Sequence, residues 1–433
     1  KTTGNQNKTS GKTGSVTKWT GSKETVPSNV DLSTPQEKML ASVKGTTITI
    51  VDDEVTDNEN TKVFRQIVQE KYGLKLKFIS IKDGVAGQNQ FAQMVDAGNP
   101  PDVFSVDEVT FLRYVCSNIA QPLDPYLAKS DPFWKEVDLS DYYFNNKTYG
   151  IPATWGLRVY MCVYNKTLFK EQKQKTPTEL YKEGNWNFKT FLDAAKKMTI
   201  YRADGKTVQT YGVGTWNYAL FMFANGGKGL SEKNGKLYAS VDQKPEMGGL
   251  QLLHDLVAAN AFYTGDSYIG FGRRRVAMHL AQPATAGGNY DYYTNMEDEI
   301  GIVPLPMAND GKYYAPKSAG GMIVPRNAKN PLGAVAFAYE MAKFDNNRFF
   351  NSTLDFDLMY RRMSISDEDL ALYLDYRKKA VPLMSYMESL SGWWDGGYRD
   401  KFWNTIVVDK KKPAEAVASM KSVLESCIKR TTG

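Results

Sequence analysis

The side chains best suited to chemistry in this 433-residue chain are acids that end β-type runs and aromatic rings set among glycines. Asp53 and Glu54 follow the β-branched run Thr46–Val51, and Asp107 follows Pro101–Val106. Trp155 stands between Thr154 and Gly156, Trp216 closes Tyr211-Gly212-Val213-Gly214-Thr215-Trp216, and Asn225 precedes Gly226-Gly227. Tyr290 lies just past Gly287-Gly288, and Trp393, Trp394 and Asp395 sit inside Ser391-Gly392-Trp393-Trp394-Asp395-Gly396-Gly397. Gly320-Gly321 offers a place where backbone can approach a ligand closely. Rings cover a weakly apolar C–H face, while carboxylates and amides bind hydroxyls, so this set suits a sugar. The same acids and rings would also form a cage for a cation. Each has a plainer reading: aspartates at strand ends cap helices, acid-rich loops are solvated, tryptophans fill cores, and paired glycines permit tight packing.

Catalysis finds little support. The only histidines are His254 and His279, and His254 lies among Leu252, Leu253, Leu256 and Val257 in a helical pattern. There is no G-x-S-x-G elbow, no H-E-x-x-H and no metal cluster, so no enzyme, no cofactor and no metal site is expected. A carboxylate pair for glycoside hydrolysis is the one hydrolytic alternative left open. Cys116, Cys162 and Cys427 are widely spaced and without a CxxC, which reads as inert thiols. No run of 18 or more apolar residues could span a membrane. The formal net charge is +6, but residues 1–30 hold five lysines and one acid. The basic balance is therefore mostly a property of that segment, and no nucleic-acid partner is expected. Arg273-Arg274-Arg275 reads as a solvated or ion-paired surface run.

Several elements must position these residues. Residues 1–30 are Lys, Thr, Gly, Ser and Asn with almost nothing apolar, a flexible polar linker. Ser33-Thr34-Pro35-Gln36-Glu37 starts a short helix reaching about Val43. Strands are predicted at Thr46–Val51, Leu74–Ile81 and Pro101–Val106, with helices at 60–72 and 88–97 between them. This alternation implies parallel pairing and a ligand beyond the carboxyl ends of the strands. Helical patterns resume at 187–198, 247–260, 330–344 and 413–428.

At this point the chain resembles a known family, the extracellular solute-binding proteins of the maltose-binding type. Asn99-Pro100-Pro101-Asp102-Val103 is similar to its "G-x-P-D-V" strand, and Gln121-Pro122-Leu123-Asp124-Pro125-Tyr126 to its "P-L-D-x-Y" turn. Gly150-Ile151-Pro152, leading to Val163-Tyr164-Asn165, resembles the crossover "Y-G-I-P … L-Y-Y-N". Thr176-Pro177 to Trp186, Phe271 to Met278, Ile300 to Pro306 and Ser318 to Pro325 continue the series in order. There are two departures. Arg274-Arg275-Val276-Ala277-Met278 replaces the usual Gly-Lys-Ala-Ala-Met, and Ala281-Gln282-Pro283-Ala284 stands where "N-G-P-W" is common, so a sugar-stacking Trp is missing.

The resemblance implies an α/β, two-lobed periplasmic-binding-protein-like fold, each lobe a mixed sheet flanked by helices, joined by hinge crossovers. Residues 1–44 would be the linker and leading helix. Residues 45–152 and 308–365 would form lobe one, and 153–307 and 366–433 lobe two. It implies the substrate-binding subunit of a carbohydrate ABC importer, a monomer that closes on a sugar and delivers it to a membrane permease. The cleft positions would be Asp53, Glu54, Asp107, Trp155, Trp216, Asn225, Tyr290, Gly320, Gly321, Trp393, Trp394 and Asp395. It also implies an extracellular location, lipid-anchored through a cysteine upstream of Lys1, or periplasmic in a Gram-negative cell. The rival ligands are a peptide, a polyamine or ferric iron, and a surface adhesin is a further alternative.

Overall fold

The computed structural model describes residues 32–51, 62–137, 139–152, 158–282, 296–318, 320–351 and 365–433. The chain opens as its spacing predicts. The Thr34 hydroxyl accepts from the Glu37 amide, and the Glu37 carboxylate reaches back to the Thr34 amide. This capping box, with proline in the first turn, starts α1 (Pro35–Leu40). β1 (Thr47–Val51), α2 (Lys62–Tyr72), β2 (Lys75–Ile79), α3 (Gly84–Asp96) and β3 (Phe104–Val106) then alternate. β1 pairs in parallel with β2, and Ile50 bridges Val103 just ahead of β3. α3 begins four residues before the predicted start, because Gly84, Ala86 and Gly87 add a turn with little apolar periodicity to betray it. α4 (Phe111–Cys116) and β4 (Gly150–Pro152) complete this part.

The second lobe begins with β5 (Arg158–Val159) and β6 (Met161–Asn165). It continues through α5 (Phe188–Lys197), β7 (Val208–Gly214), α6 (Leu220–Ala224), α7 (Lys244–Ala258), β8 (Phe262–Tyr263), β9 (Val276–Ala281) and β10 (Ile300–Pro304). Its sheet runs β8-β7-β9-β6-β10, parallel from β8 to β9, with β6 antiparallel to both neighbours. Every residue of β6, β9 and β10 is buried, which explains their continuous apolar character. β11 (Tyr314–Ser318) pairs with β5, and β12 (Gly321–Ile323) returns between β3 and β4. α8 (Pro331–Asn351) packs on the first lobe, and α9 (Asp367–Lys379), β13 (Val381–Leu383), α10 (Tyr398–Val407) and α11 (Pro413–Thr432) finish the chain.

Two lobes with separate cores result. Ile48, Phe64, Val68, Val103, Met322 and Phe337 fill one, and Tyr164, Trp186, Leu253, Phe402, Trp403 and Leu424 fill the other. Residues 314–318, assigned to lobe one from the sequence, lie with lobe two. Ala315 packs among Val159, Met161 and Ile302, and β11 pairs with β13. The motif residues prove to be staples. Asp102 accepts from the Thr49 and Asn330 amides at 2.7 Å each, tying β1 to the start of α8. The Trp186 indole donates to the Pro304 carbonyl at 2.8 Å.

Glu37 has a second task. Its carboxylate accepts from Lys71 Nζ and Lys343 Nζ (2.5 and 2.9 Å), so α1 is clamped to α2 and α8. Burial alone would raise its pKa, but the Lys71, Lys343 and Thr34 hydrogen bonds prevail and hold it at about 2. A carboxyl with a depressed folded pKa stabilises above its unfolded value near 4.5 and loses that contribution as pH falls towards 2. Glu37→Gln should therefore cost about 3 kcal/mol at neutral pH. In urea titrations across pH the gap to wild type should narrow below pH ~4.5; a constant gap would refute the clamp.

Candidate ligand-binding site

The two lobes meet where β3 ends. Asp107 and Glu108 leave β3 toward α4, and Leu112 of α4 packs against the core of lobe two. The Arg113 amide, also on α4, donates to Ser389 Oγ at 3.2 Å. Ser389 belongs to the short helical turn Met387–Ser389, which thereby brings Glu388 to the junction. From the lobe-two sheet, Thr215-Trp216-Asn217 follow β7 and Gln282 follows β9.

Glu388 is the most unusual group here. It is 8% exposed, and among the described residues nothing hydrogen-bonds its carboxyl. Burial, and then the charge of Glu108, pushes its pKa up to about 7, against the pull of Arg399; Asp107 adds to the rise. Glu108 and Glu388 act together on the buried Tyr160 phenol, which the Asn217 side chain hydrogen-bonds and whose pKa lies well above normal chiefly through burial. Acids from both lobes thus feel one another across the junction. Beneath them Lys317 pairs with Asp141, and the Tyr386 hydroxyl donates to the Asp141 carbonyl.

The aromatic half of the site is organised by Arg399. Its guanidinium lies 5.0 Å from the Trp394 ring centre and 5.5 Å from that of Tyr218, and donates to the Trp216 carbonyl at 2.6 Å. Two of the expected residues, Trp216 and Trp394, are therefore joined through one side chain that the sequence did not single out. Trp394 is 44% exposed. Positive φ at Gly392 and Gly397 shapes the loop that presents it.

The other expected residues divide. Asp107 Oδ1 accepts from the Val109 and Thr110 amides and from the Thr110 hydroxyl (2.7–3.0 Å), the plainer capping role. Its Oδ2 is left without a protein partner among the described residues. Trp393 is corrected from platform to core: it is fully buried and edge-on to Phe402. Asn225 is a lock, donating to the Pro245 carbonyl at 2.7 Å and accepting from the Asn309 amide at 2.9 Å. Gly320 is half-buried; Gly321 is paired in β12, where a Cβ would meet the Tyr142 ring at 2.5 Å, so this glycine admits a ring and not a ligand. Asp395 is exposed. Asp53, Glu54, Trp155 and Tyr290 lie outside the described residues.

His279 is a buried core residue against Tyr268 and Ser267, held neutral with a pKa pushed down to about 3 by burial. Among the described residues no three His, Cys, Asp or Glu side chains converge as a metal ion needs, and no helix is long and apolar enough to cross a membrane. The Arg273–Arg275 run is absorbed structurally: Arg274 pairs with Glu171 and Asp298, and Arg275 lies over Tyr263.

A two-lobed α/β protein with acids and rings at the lobe junction is a ligand-binding architecture. The bacterial extracellular solute-binding protein family matches residues 57–343, and the chain belongs to that family. Among solved structures it is similar to an ABC substrate-binding protein from Listeria monocytogenes in complex with cycloalternan (TM-score 0.59, 15% identity, 89% of this chain and 98% of that one). It is similar also to an ABC transporter solute-binding protein from Thermotoga lettingae bound with α-D-tagatose (0.58, 17%, 89% and 100%). UgpB from Mycobacterium tuberculosis, in complex with glycerophosphocholine, matches at 0.60, with 15% identity over 89% and 99%. Glu388, Trp394 and Arg399 lie past the family match.

A raised folded pKa means the folded state holds a proton that the unfolded state releases. The Glu388 contribution is thus intact below about 4.5 and is lost as pH rises through about 7. Glu388→Gln should match wild type at pH ~4 and exceed it by up to about 3 kcal/mol at pH ~8. Parallel stability curves over that range would refute the assignment.

Proposed function

We propose that this chain is the substrate-binding subunit of a carbohydrate ABC importer, capturing a sugar or oligosaccharide between its lobes. The observation that carries the reading is the junction itself, where the charges of Asp107 and Glu108 of one lobe act on Glu388 of the other, as does Arg399, which also lies against Trp394 and donates to the Trp216 carbonyl. Carboxylates and a guanidinium bind hydroxyls, and an exposed indole covers a pyranose C–H face. The sugars bound by the Listeria and Thermotoga neighbours support the same ligand class.

In this reading ligand held by one lobe bridges to the other, and its greater affinity for the closed arrangement drives closure. The closed form is what a membrane permease recognises. The chain acts as a monomer at the outer face of the cell membrane, held there by a lipid anchor, and carries out no chemistry on its cargo. Lobe one comprises roughly the segments before 152 and from 320 to 351; lobe two takes the rest of the folded chain.

A thermal-shift panel of mono- and oligosaccharides should find a sugar that raises the melting temperature in a concentration-dependent way. Trp394→Ala should weaken its binding about tenfold or more while leaving the melting temperature of the free protein nearly unchanged. Trp393→Ala should instead lower stability by about 3–5 kcal/mol. Stabilisation by peptides alone, or unaltered sugar affinity in Trp394→Ala, would overturn the reading.

A further inference from the structure

The junction holds two buried polar groups without a hydrogen bond among the described residues. Glu388 is nine-tenths buried with no hydrogen-bond partner among the described residues. The Tyr142 hydroxyl, on a side chain 1% exposed, also lacks a partner and stands in the field of Asp141, Glu108 and Asp107. Such groups cost free energy unless something pairs with them. We propose that the cleft takes a ligand bearing a positively charged nitrogen, and that Glu388 is the side chain that selects it. The sugar scaffold, which makes this an amino sugar, rests on the reading above; the charge rests on the side chains.

A hydroxyl would be served as well by an amide, which carries no desolvation cost as an ion. With only the Arg399 guanidinium offsetting the neighbouring acids, and no hydrogen bond to its carboxyl among the described residues, Glu388 is favoured over an amide when the ligand adds a positive charge. A metal ion is disfavoured, because no three potential ligands converge among the described residues. An organic ammonium needs no such convergence, and Asp107, whose charge acts on Glu388, has its Oδ2 open among the described residues as a second acceptor.

The test is isothermal titration calorimetry of the full chain at pH ~6.5, where a sugar amine is largely protonated, with three probes: a glucosamine disaccharide, its N,N'-diacetyl counterpart and spermidine. The amino disaccharide should bind at least about tenfold more tightly than the acetylated one. Glu388→Gln should erase that ratio without lowering the melting temperature. Glu388-dependent binding of spermidine alone would uphold the charge and reject the carbohydrate reading. Tighter or equal binding of the acetylated sugar would uphold the carbohydrate and overturn the charge. An undiminished ratio in Glu388→Gln, or binding of none of the three, would also overturn it.

Discussion

The architecture depends on two strand crossings between the lobes being paired with each other. The chain leaves lobe one after Pro152 and returns to it at Gly321, some 170 residues later. On one side of the crossing Gly321 pairs with Pro152, and on the other Lys317 and Ser318 pair with Val159 and Arg158. Unpaired strand edges in this position would leave backbone donors and acceptors unsatisfied. Once they pair, the lobes have a shared seam, and the end of β3 is carried to the junction because β12 pairs with β3 as well.

That seam explains why the junction side chains are where they are. β12 needs a residue with no side chain at position 321, since Tyr142 packs directly against it. Tyr142 in turn forms the floor beneath Asp107 and Glu108. From the other lobe, the contact between α4 and Ser389 draws Glu388 into the same space. Acids of like charge are thereby brought together at a cost that burial increases, a pattern more typical of binding sites than of stabilising networks. Glu37 differs from Glu388 in this respect: it is buried too, yet two lysines and backbone amides hydrogen-bond it.

The local elements were legible because their signals are short-ranged. The capping box at Thr34, the proline at position 35 and the β-branched run at 47–51 act within a few residues. The ordered motifs made the family visible, though their side chains serve structure: Asp102 as a staple, Trp186 as a core ring, Gly321 as a packing gap. Trp393 and Trp394 show the limit of local reading. Both sit in one glycine-rich stretch, and only packing against Phe402 decides that the first is buried and the second exposed.

By itself, then, the sequence determined the two-lobed α/β class, through its ordered motifs, and the alternation of the first strands and helices. Tertiary structure alone decided which side chains meet at the junction. Glu108 and Glu388 are 280 positions apart, and Trp216 and Arg399 are 183 apart. No periodicity or spacing rule links residues at such distances. Their meeting follows from paired crossings and from burial of two separate cores, which are properties of the whole chain.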